Sequence, residues 1–325
     1  MINSEGFMSG FMDCFGISDI GLQRKANEDQ FLIADVCKSM RVHQTSLGLE
    51  HQTRLFGNTQ GKLLVVADGM GGHDSGERAS QLVLDTIVDY VLNRLSWLLQ
   101  IDPESEDNFV DQLKMSLISC QNRINKESMN IPSHRKMGST LTLVYVVWPK
   151  AFVIHVGDSR CYLMRHSQLQ QMTRDHTLAQ LAKDNTIGGN FGTAIENQVA
   201  KGSSLNHVLW NVIGGGSEKP HPDALAIDLQ IGDTLLLCTD GLTNAVNISR
   251  IQKLLSEDSS ATKICRQLVD EAIHAGGADN TTVVVSRFLK EMPQETLMQV
   301  LEEPIPETLD TEIMHQVGDT IRLPI

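Results

Sequence analysis

KLLVVADGMGGHDSGERAS, residues 62–80, joins a short apolar run to an acid and a glycine-rich turn. The run KLLVVA contains β-branched residues and is too short for a helix, so we predict a buried strand that ends at Asp68. Gly69, Gly71 and Gly72 follow the acid and predict a tight turn. After the turn, apolar residues recur every three to four positions, which predicts a helix capped by Asp74 or Ser75. Its expected buried face comprises Ala79, Val83, Ile87, Val88, Val91, Leu92 and Leu95.

The same pattern, an acid at the end of an apolar run, recurs along the chain. Asp158 ends VIHVGD, Asp240 ends LLLCTD, and Asp279 precedes NTTVVV, while Glu28 and Asp29 precede QFLIAD. Hard divalent cations prefer carboxylate and carbonyl oxygens gathered from several segments. A single acid of this kind is more often a turn acid that caps its own loop. The whole set favours a shared cation site at one rim of the fold.

The remaining periodicities predict an α+β fold. A second helix is expected from about residue 108, with Phe109, Leu113, Leu117 and Ile124 on one face. Short β-rich runs then follow between residues 139 and 165, as in an antiparallel meander. A strand in DTLLLCTDG, helices near 247 and over 260–275, and a final strand in NTTVVVSRFL complete the pattern. We therefore expect helices outside and antiparallel sheets inside.

Composition limits the class of protein. The chain has 325 residues, 41% hydrophobic, with a net charge of −13, which argues against nucleic-acid binding. The six cysteines form no C-x-x-C pair, so we expect no disulfide framework and a reducing compartment. The N-terminus has no signal-peptide pattern, and the longest apolar run, LTLVYVVW, is too short to span a membrane. We expect a cytoplasmic protein.

Several familiar catalytic motifs are absent. In GMGGHD the third glycine of G-x-G-x-x-G is replaced by Asp74, and an acid after the strand would repel a pyrophosphate. The sequence contains no P-loop, no G-x-S-x-G and no H-E-x-x-H. Dinucleotide binding and the simplest serine-hydrolase and zinc-protease chemistries are therefore disfavoured.

Seven motifs, in this order, resemble those of the metal-dependent serine/threonine protein phosphatases, the type 2C family, in its bacterial form. They are SDIGLQRKANED (18–29), VADGMGG (66–72), MGSTL (137–141), HVGDSR (155–160), MTRDHT (172–177), CTDGLTN (238–244) and GADNTT (277–282). The resemblance implies a four-layer α-β-β-α sandwich, with two central antiparallel sheets flanked by helix pairs. It also implies two Mg²⁺ or Mn²⁺ ions at one end.

The resemblance implies a role for each acid. Asp68 would bridge both metals, the Gly69 carbonyl would bind one, and Asp240 and Asp279 would hold the other. Glu28 would ligate directly or through water, with Asp29 alongside. Asp158 would complete a weaker third metal site with Asp240. These assignments make a metal-activated hydroxide the expected nucleophile.

Two further residues are candidates for catalysis. Arg24 matches the arginine that clamps the substrate phosphate, a task that suits a bidentate guanidinium. The proton donor to the leaving alkoxide remains open between His73 and a metal-bound water. We expect His176 to be structural. LWNVIGGG (209–216) departs from the family pattern, so no substrate contact is assigned there.

We expect a catalytic domain over residues 1–290, which contains an extended excursion at 36–61 and a mobile flap lobe at 177–216. Residues 291–325 have eight acids and one base and should form a flexible acidic, proline-containing tail. The expected activity is metal-dependent hydrolysis of phosphoserine and phosphothreonine in proteins, opposing a kinase, by a chain that is a monomer. The alternatives are a catalytically silent phosphoprotein-binding scaffold and a hydrolase of small phosphate esters.

Overall fold

The structure is a computed structural model that describes residues 11–42, 54–72, 74–95, 103–184, 207–216 and 219–290. These residues contain twelve strands, six α-helices and one short 3-10 helix (Pro132–His134). The strands are β1 (Phe11–Asp19), β2 (Asp29–Arg41), β3 (Arg54–Met70), β4 (Gly138–Ser139), β5 (Leu141–Val147), β6 (Lys150–Val156), β7 (Arg160–Arg165), β8 (Gln168–Gln171), β9 (Ile213–Gly214), β10 (Asp223–Asp228), β11 (Thr234–Cys238) and β12 (Thr281–Leu289). The helices are α1 (Asp74–Asn93), α2 (Pro103–Asn130), α3 (Leu178–Lys183), α4 (Asp240–Ala245), α5 (Ile248–Leu255) and α6 (Ala261–His274).

The strands form two antiparallel sheets. One sheet has the order β1-β12-β11-β7-β8. The other has the order β10-β6-β5-β3-β4-β9, with β2 paired to β3. Helices α1 and α2 pack on the second sheet, while α5 and α6 cover the first. The predicted α+β sandwich, with antiparallel sheets inside and helices outside, is confirmed.

Side chains alternate between the two faces of each central strand, and both faces are covered, which explains why these sequences are apolar throughout. In β3, Leu63 and Val65 pack against α1 and α2, whereas Leu64 and Val66 pack between the sheets. In β12, Val284 lies between the sheets and its neighbours face α5 and α6. Successive side chains of a strand point to opposite faces, so a strand covered on both sides reads as a continuous apolar run.

Most of the predicted face of α1 is buried, but Leu92 is 61% exposed. Leu92 lies nine residues after the buried Val83, and at about 100° per residue this places it on the opposite side of the helix. The prediction that Leu92 is buried was therefore wrong. Ser75 lies inside the first turn, where its hydroxyl donates to the Ser133 carbonyl instead of capping the helix. Helix α2 begins at Pro103, five residues before the predicted start, with a proline at a position that favours helix initiation.

The excursion predicted at 36–61 contains the ends of β2 and β3, which pair as a long hairpin with a register shift between Cys37 and Ser39. Its tip lies outside the described residues, as do most of the flap lobe and the tail at 291–325. None of the described helices is long and apolar enough to cross a membrane. All six cysteines fall within the described ranges, and each is a free thiol.

The layer between the sheets should carry much of the stability. Leu237→Ala removes a fully buried side chain from this layer and should lower the free energy of unfolding by about 2–5 kcal/mol. Leu92→Ala is the matched control, and its exposed position predicts a change within about 0.5 kcal/mol. Urea unfolding followed by circular dichroism measures both values. Equal losses in the two variants would contradict the layer assignment.

Candidate functional site

The rim of the inter-sheet layer begins with two acids placed directly opposite one another. The antiparallel register of β2 and β3 pairs Asp29 with Asp68. Asp68 continues the side of β3 on which Leu64 and Val66 face the other sheet. Directly opposed side chains have Cβ atoms about 4.5–5.5 Å apart, and like charges there are destabilising. This register therefore places two acids side by side, and a positive charge between them would be stabilising.

Asp29 is held by hydroxyl groups from the other sheet. Thr239 and Thr282 donate to its Oδ2 at 2.8 and 2.7 Å. The side chain is only 3% exposed, and burial raises the pKa of Asp29 to about 7, against the effect of the two hydroxyls. The charges of Asp240 and Asp279 contribute to this rise in pKa as well. Through these hydrogen bonds Asp29 links the two sheets at the rim.

Thr140 fixes the backbone on both sides of the Asp68 carboxylate. The Asp68 N–H donates to Thr140 Oγ1 at 2.9 Å, and the Thr140 N–H donates to the Asp68 carbonyl at 2.9 Å. Thr140 Oγ1 also lies 2.8 Å from the hydroxyl of Ser159, the residue after Asp158. Burial raises the pKa of Asp68 well above its usual range. The acids that raise this pKa further are Asp29, Asp240, Asp158 and Asp279.

The remaining acids come from different elements but act on one another. Asp240 begins α4 and accepts a hydrogen bond from Asn244 at 3.0 Å. Burial raises the pKa of Asp240, and Asp279 raises it further. Burial raises the pKa of Asp158 to about 7, and Asp240 adds to the shift. The fold thus gathers five aspartates from five segments into one group of mutually repelling acids.

Glu28 and Gly69 meet beside Gly76. A Cβ at Gly76 would overlap the Glu28 carboxylate and would lie 3.0 Å from the Gly69 carbonyl oxygen. A Cβ at Gly69 would in turn overlap the Gly76 carbonyl. The Gly69 N–H donates to the Glu28 carbonyl at 3.1 Å. The absence of side chains at the two glycines therefore allows the Glu28 carboxylate and the Gly69 carbonyl to lie close together.

These oxygen donors are buried or partly buried and repel one another, so they fit a hard divalent cation, which would offset their repulsion. Within the described ranges, no three His, Cys, Asp or Glu side chains converge into a ready coordination shell. The fit therefore depends on the oxygen donors, their burial and their raised pKa values.

Arg24 faces this group of acids from the loop between β1 and β2. Its Nη2 lies 2.7 Å from Asp279 Oδ2, and its side chain is 49% exposed. The hydrogen bond to Asp279 raises the pKa of Arg24, and the charges of Asp279, Glu28 and Asp68 add to this. The structure thus brings the predicted phosphate-binding arginine to the predicted metal acids.

The histidine predictions have different outcomes. His73 and the side chain of Asp74 lie outside the described residues. His176 is buried, and its Nδ1 accepts from the Gly157 N–H at 3.1 Å and from Asn211 Nδ2 at 2.9 Å. Its Nε2 lies 3.2 Å from Asp223. These contacts give His176 the structural role that was expected.

Sequence reasoning missed several residues that support the site. His207 lies close enough to Asp240 for its charge to lower the pKa of that acid. Arg160 and Asp175 join two of the motifs through paired contacts of 2.9 and 2.6 Å. Thr140, Thr239, Thr282 and Asn280 belong to this group as well. Each of these residues except His207 lies inside one of the quoted motifs, and this was the available signal.

The sequence of residues 50–275 matches the family model described as Protein phosphatase 2C. This match covers more than half of the chain. The chain belongs to the protein phosphatase 2C family. The family predicted from the motifs, the metal-dependent serine/threonine phosphatases, is confirmed.

Relatives agree with this membership. The chain is 30% identical over 225 residues to the serine/threonine protein phosphatase PstP of Mycobacterium tuberculosis, covering 69% of this chain but 40% of that protein. It is 28% identical over 280 residues to the protein phosphatase PhpP of Streptococcus pneumoniae, covering 85% of this chain and 97% of that one.

Solved structures have the same fold. The M. tuberculosis PstP/Ppp structure superimposes with a TM-score of 0.65 at 26% identity, covering 86% of this chain and 99% of that one. The PstP catalytic domain in complex with two manganese ions gives a TM-score of 0.63 at 26% identity, with the same coverage.

The raised acid pKa values predict how the stability of the metal-free protein depends on pH. A carboxyl whose folded pKa exceeds its unfolded value binds its proton more tightly when folded, so its ionisation destabilises the fold. For Asp29 and Asp158, with pKa values of about 7, this loss should develop as pH rises from about 4 to about 7. Thermal melting in chelator across this range measures the effect. Added Mn²⁺ should raise the melting temperature more at the upper end.

Asp68→Asn isolates the contribution of the rim to this dependence. The amide removes a charge that four neighbouring acids oppose, so the variant should be more stable than wild type in chelator near neutral pH. Added Mn²⁺ should also raise the melting temperature of this variant by less than that of wild type. Asp107→Asn, at an exposed position on α2, is the matched control. It should change neither the melting temperature in chelator nor the increase caused by Mn²⁺. An Asp68→Asn protein that melts below wild type in chelator would count against a repulsive acid rim.

Proposed function

We propose that this chain hydrolyses phosphoserine and phosphothreonine in proteins, using two divalent cations, Mg²⁺ or Mn²⁺, bound at the acid rim. The observation that carries the proposal is that five mutually repelling aspartates lie close to Arg24 at one end of the sandwich. Family membership supports the reaction class, and the relatives PstP and PhpP are named protein phosphatases.

Each ligand has a proposed place. Asp68 would bridge the two cations, with the Gly69 carbonyl and Glu28 on one and Asp240 and Asp279 on the other. Asp29 would orient the cluster, because its Oδ2 already accepts two threonine hydroxyls. When bound, the cations supply activation of a water molecule and part of the charge that balances the phosphate oxygens. Asp158, together with Asp240, would serve a third, weaker cation site.

Arg24 would bind the phosphate group of the substrate. A guanidinium presents paired N–H donors that match two phosphate oxygens. Arg24 is half exposed at the edge of the rim, so it is accessible to a protein substrate. Its contact with Asp279 in the metal-free chain places it beside the proposed ligands, where a bound phosphate would be attacked.

The leaving alkoxide needs a proton, and we keep His73 and a water molecule as its proposed sources. His207 is a third candidate, because its charge acts on Asp240. His73→Ala and His207→Ala can be assayed side by side. Only loss of the proton donor should change the pH dependence of kcat for a substrate with a poor leaving group, while leaving an activated aryl phosphate unaffected.

The biological setting is likewise a proposal. A Ser/Thr kinase would create the phosphoproteins that this chain cleaves. The six free thiols suit a cytoplasmic location, since such a compartment keeps cysteines reduced. We propose that the chain acts as a monomer.

The deciding assay compares a phosphothreonine peptide with a generic aryl phosphate in Mn²⁺, in Mg²⁺ and in chelator. We expect metal-dependent phosphate release from the peptide, with a higher kcat/KM than for the aryl ester. Asp240→Ala should lower kcat/KM by about a hundredfold or more, because it removes a ligand and not merely its support. Asp107→Ala is the control and should keep full activity. Activity on the aryl ester alone would favour the small-ester alternative, and no activity at all would favour the silent scaffold.

A further inference from the structure

Asn280 is a buried amide at the start of β12, next to Asp279. It is 5% exposed, and all of its hydrogen bonds from the side chain reach one distant loop. Its Nδ2 donates to the carbonyls of Ile20 at 2.9 Å and Ala26 at 3.0 Å. Its Oδ1 accepts from the Glu28 N–H at 2.8 Å.

These three bonds hold both ends of the loop 20–28, which joins β1 to β2 and carries Arg24. The neighbouring backbone adds a second attachment, because the Leu22 and Gln23 N–H groups donate to the Gly277 carbonyl at 2.8 and 3.2 Å. At Gly21 φ is +78°, and a Cβ there would overlap the Asp279 carbonyl. The loop is thus folded against residues 277–280, which precede β12.

Only an amide meets these demands at position 280. The site needs two donors and one acceptor on a single short side chain, and asparagine carries both. An aspartate would keep the acceptor and lose the donors. An apolar residue would leave two carbonyls and one N–H unpaired in a buried place, which costs more than the lost bonds alone.

Arg24 depends on this loop more than on its own contacts. Its side chain is long and half exposed, and its one ion pair among the described contacts is with Asp279, a proposed metal ligand. A cation at Asp279 would compete for that carboxylate. The direction of Arg24 would then be set by the backbone of the loop.

We propose that Asn280 is a positioning residue for substrate binding: by fixing the loop 20–28 it aims Arg24 at the phosphate. This inference rests on the proposed phosphate-binding role of Arg24. It assigns to Asn280 no contact with substrate or metal.

The first test does not involve activity. Hydrogen exchange of the full chain should show faster exchange across residues 20–28 in Asn280→Ala, including the Glu28 amide, with the core strands unchanged. Asn247→Ala is the matched control, because it removes a side-chain bond to the Ser249 N–H at the start of α5. It should leave exchange in the loop at wild-type rates. Unchanged exchange in the loop of Asn280→Ala would overturn the proposal.

The second test is a double-mutant cycle on the phosphothreonine peptide. Asn280→Ala should raise KM by about tenfold with a smaller change in kcat. Arg24→Ala should raise KM by about tenfold in wild type but by less than about threefold in the Asn280→Ala background, because the two residues act through one interaction. Additive effects would overturn the proposal while leaving the phosphatase function intact. No effect of Arg24→Ala in wild type would instead refute the proposed role of Arg24.

Asn280→Asp keeps both tests informative if the alanine variant does not fold. It is isosteric and retains the acceptor for the Glu28 N–H, so exchange at Glu28 should stay near the wild-type rate. Exchange near Ile20 and Ala26 should rise, and KM should rise with it. A wild-type KM in a folded Asn280→Asp protein would contradict the need for the two amide donors.

Discussion

The opposition of Asp29 and Asp68 across β2 and β3 is the constraint on which the rest of the site depends. Two buried carboxylates cannot both be ionised at this separation without a compensating positive charge. The fold buries Asp29 almost completely and leaves Asp68 only partly accessible to water. It surrounds them with hydroxyl donors and with more acids, which makes the rim costly to form and strongly attractive to cations.

The position of this rim follows from strand alternation. Leu64 and Val66 lead to Asp68 along one side of β3, Val284 is preceded by Thr282 in β12, and Leu237 is followed by Thr239. In each strand the apolar series between the sheets ends in a polar residue. Because the two sheets pack face to face, these ends form one polar layer above the core. The same packing that stabilises the sandwich therefore positions the site.

Cross-sheet contacts make the site a property of the whole sandwich. Thr239 and Thr282 of one sheet hold Asp29 of the other, and Asn280 holds the loop that carries Arg24. The paired contacts of Arg160 and Asp175 anchor the segment that leads to the flap lobe. Loss of registry between the sheets would therefore disturb both the acids and the arginine.

The sequence by itself determined which apolar runs became strands, the acids and the glycine-rich turn beside them, and the family, because each depends on local patterns and motif order. It placed the end of β3 at Asp68, whereas the strand continues to Met70. It misjudged Leu92, which lies on the side of the helix opposite to the buried Val83. Only the tertiary structure decided which residues support the acids. The bonds of Thr239, Thr282 and Asn280 join positions more than two hundred residues apart, and no local periodicity records such contacts. Likewise, the acid pKa values depend on burial and on neighbours that meet only when the two sheets pack.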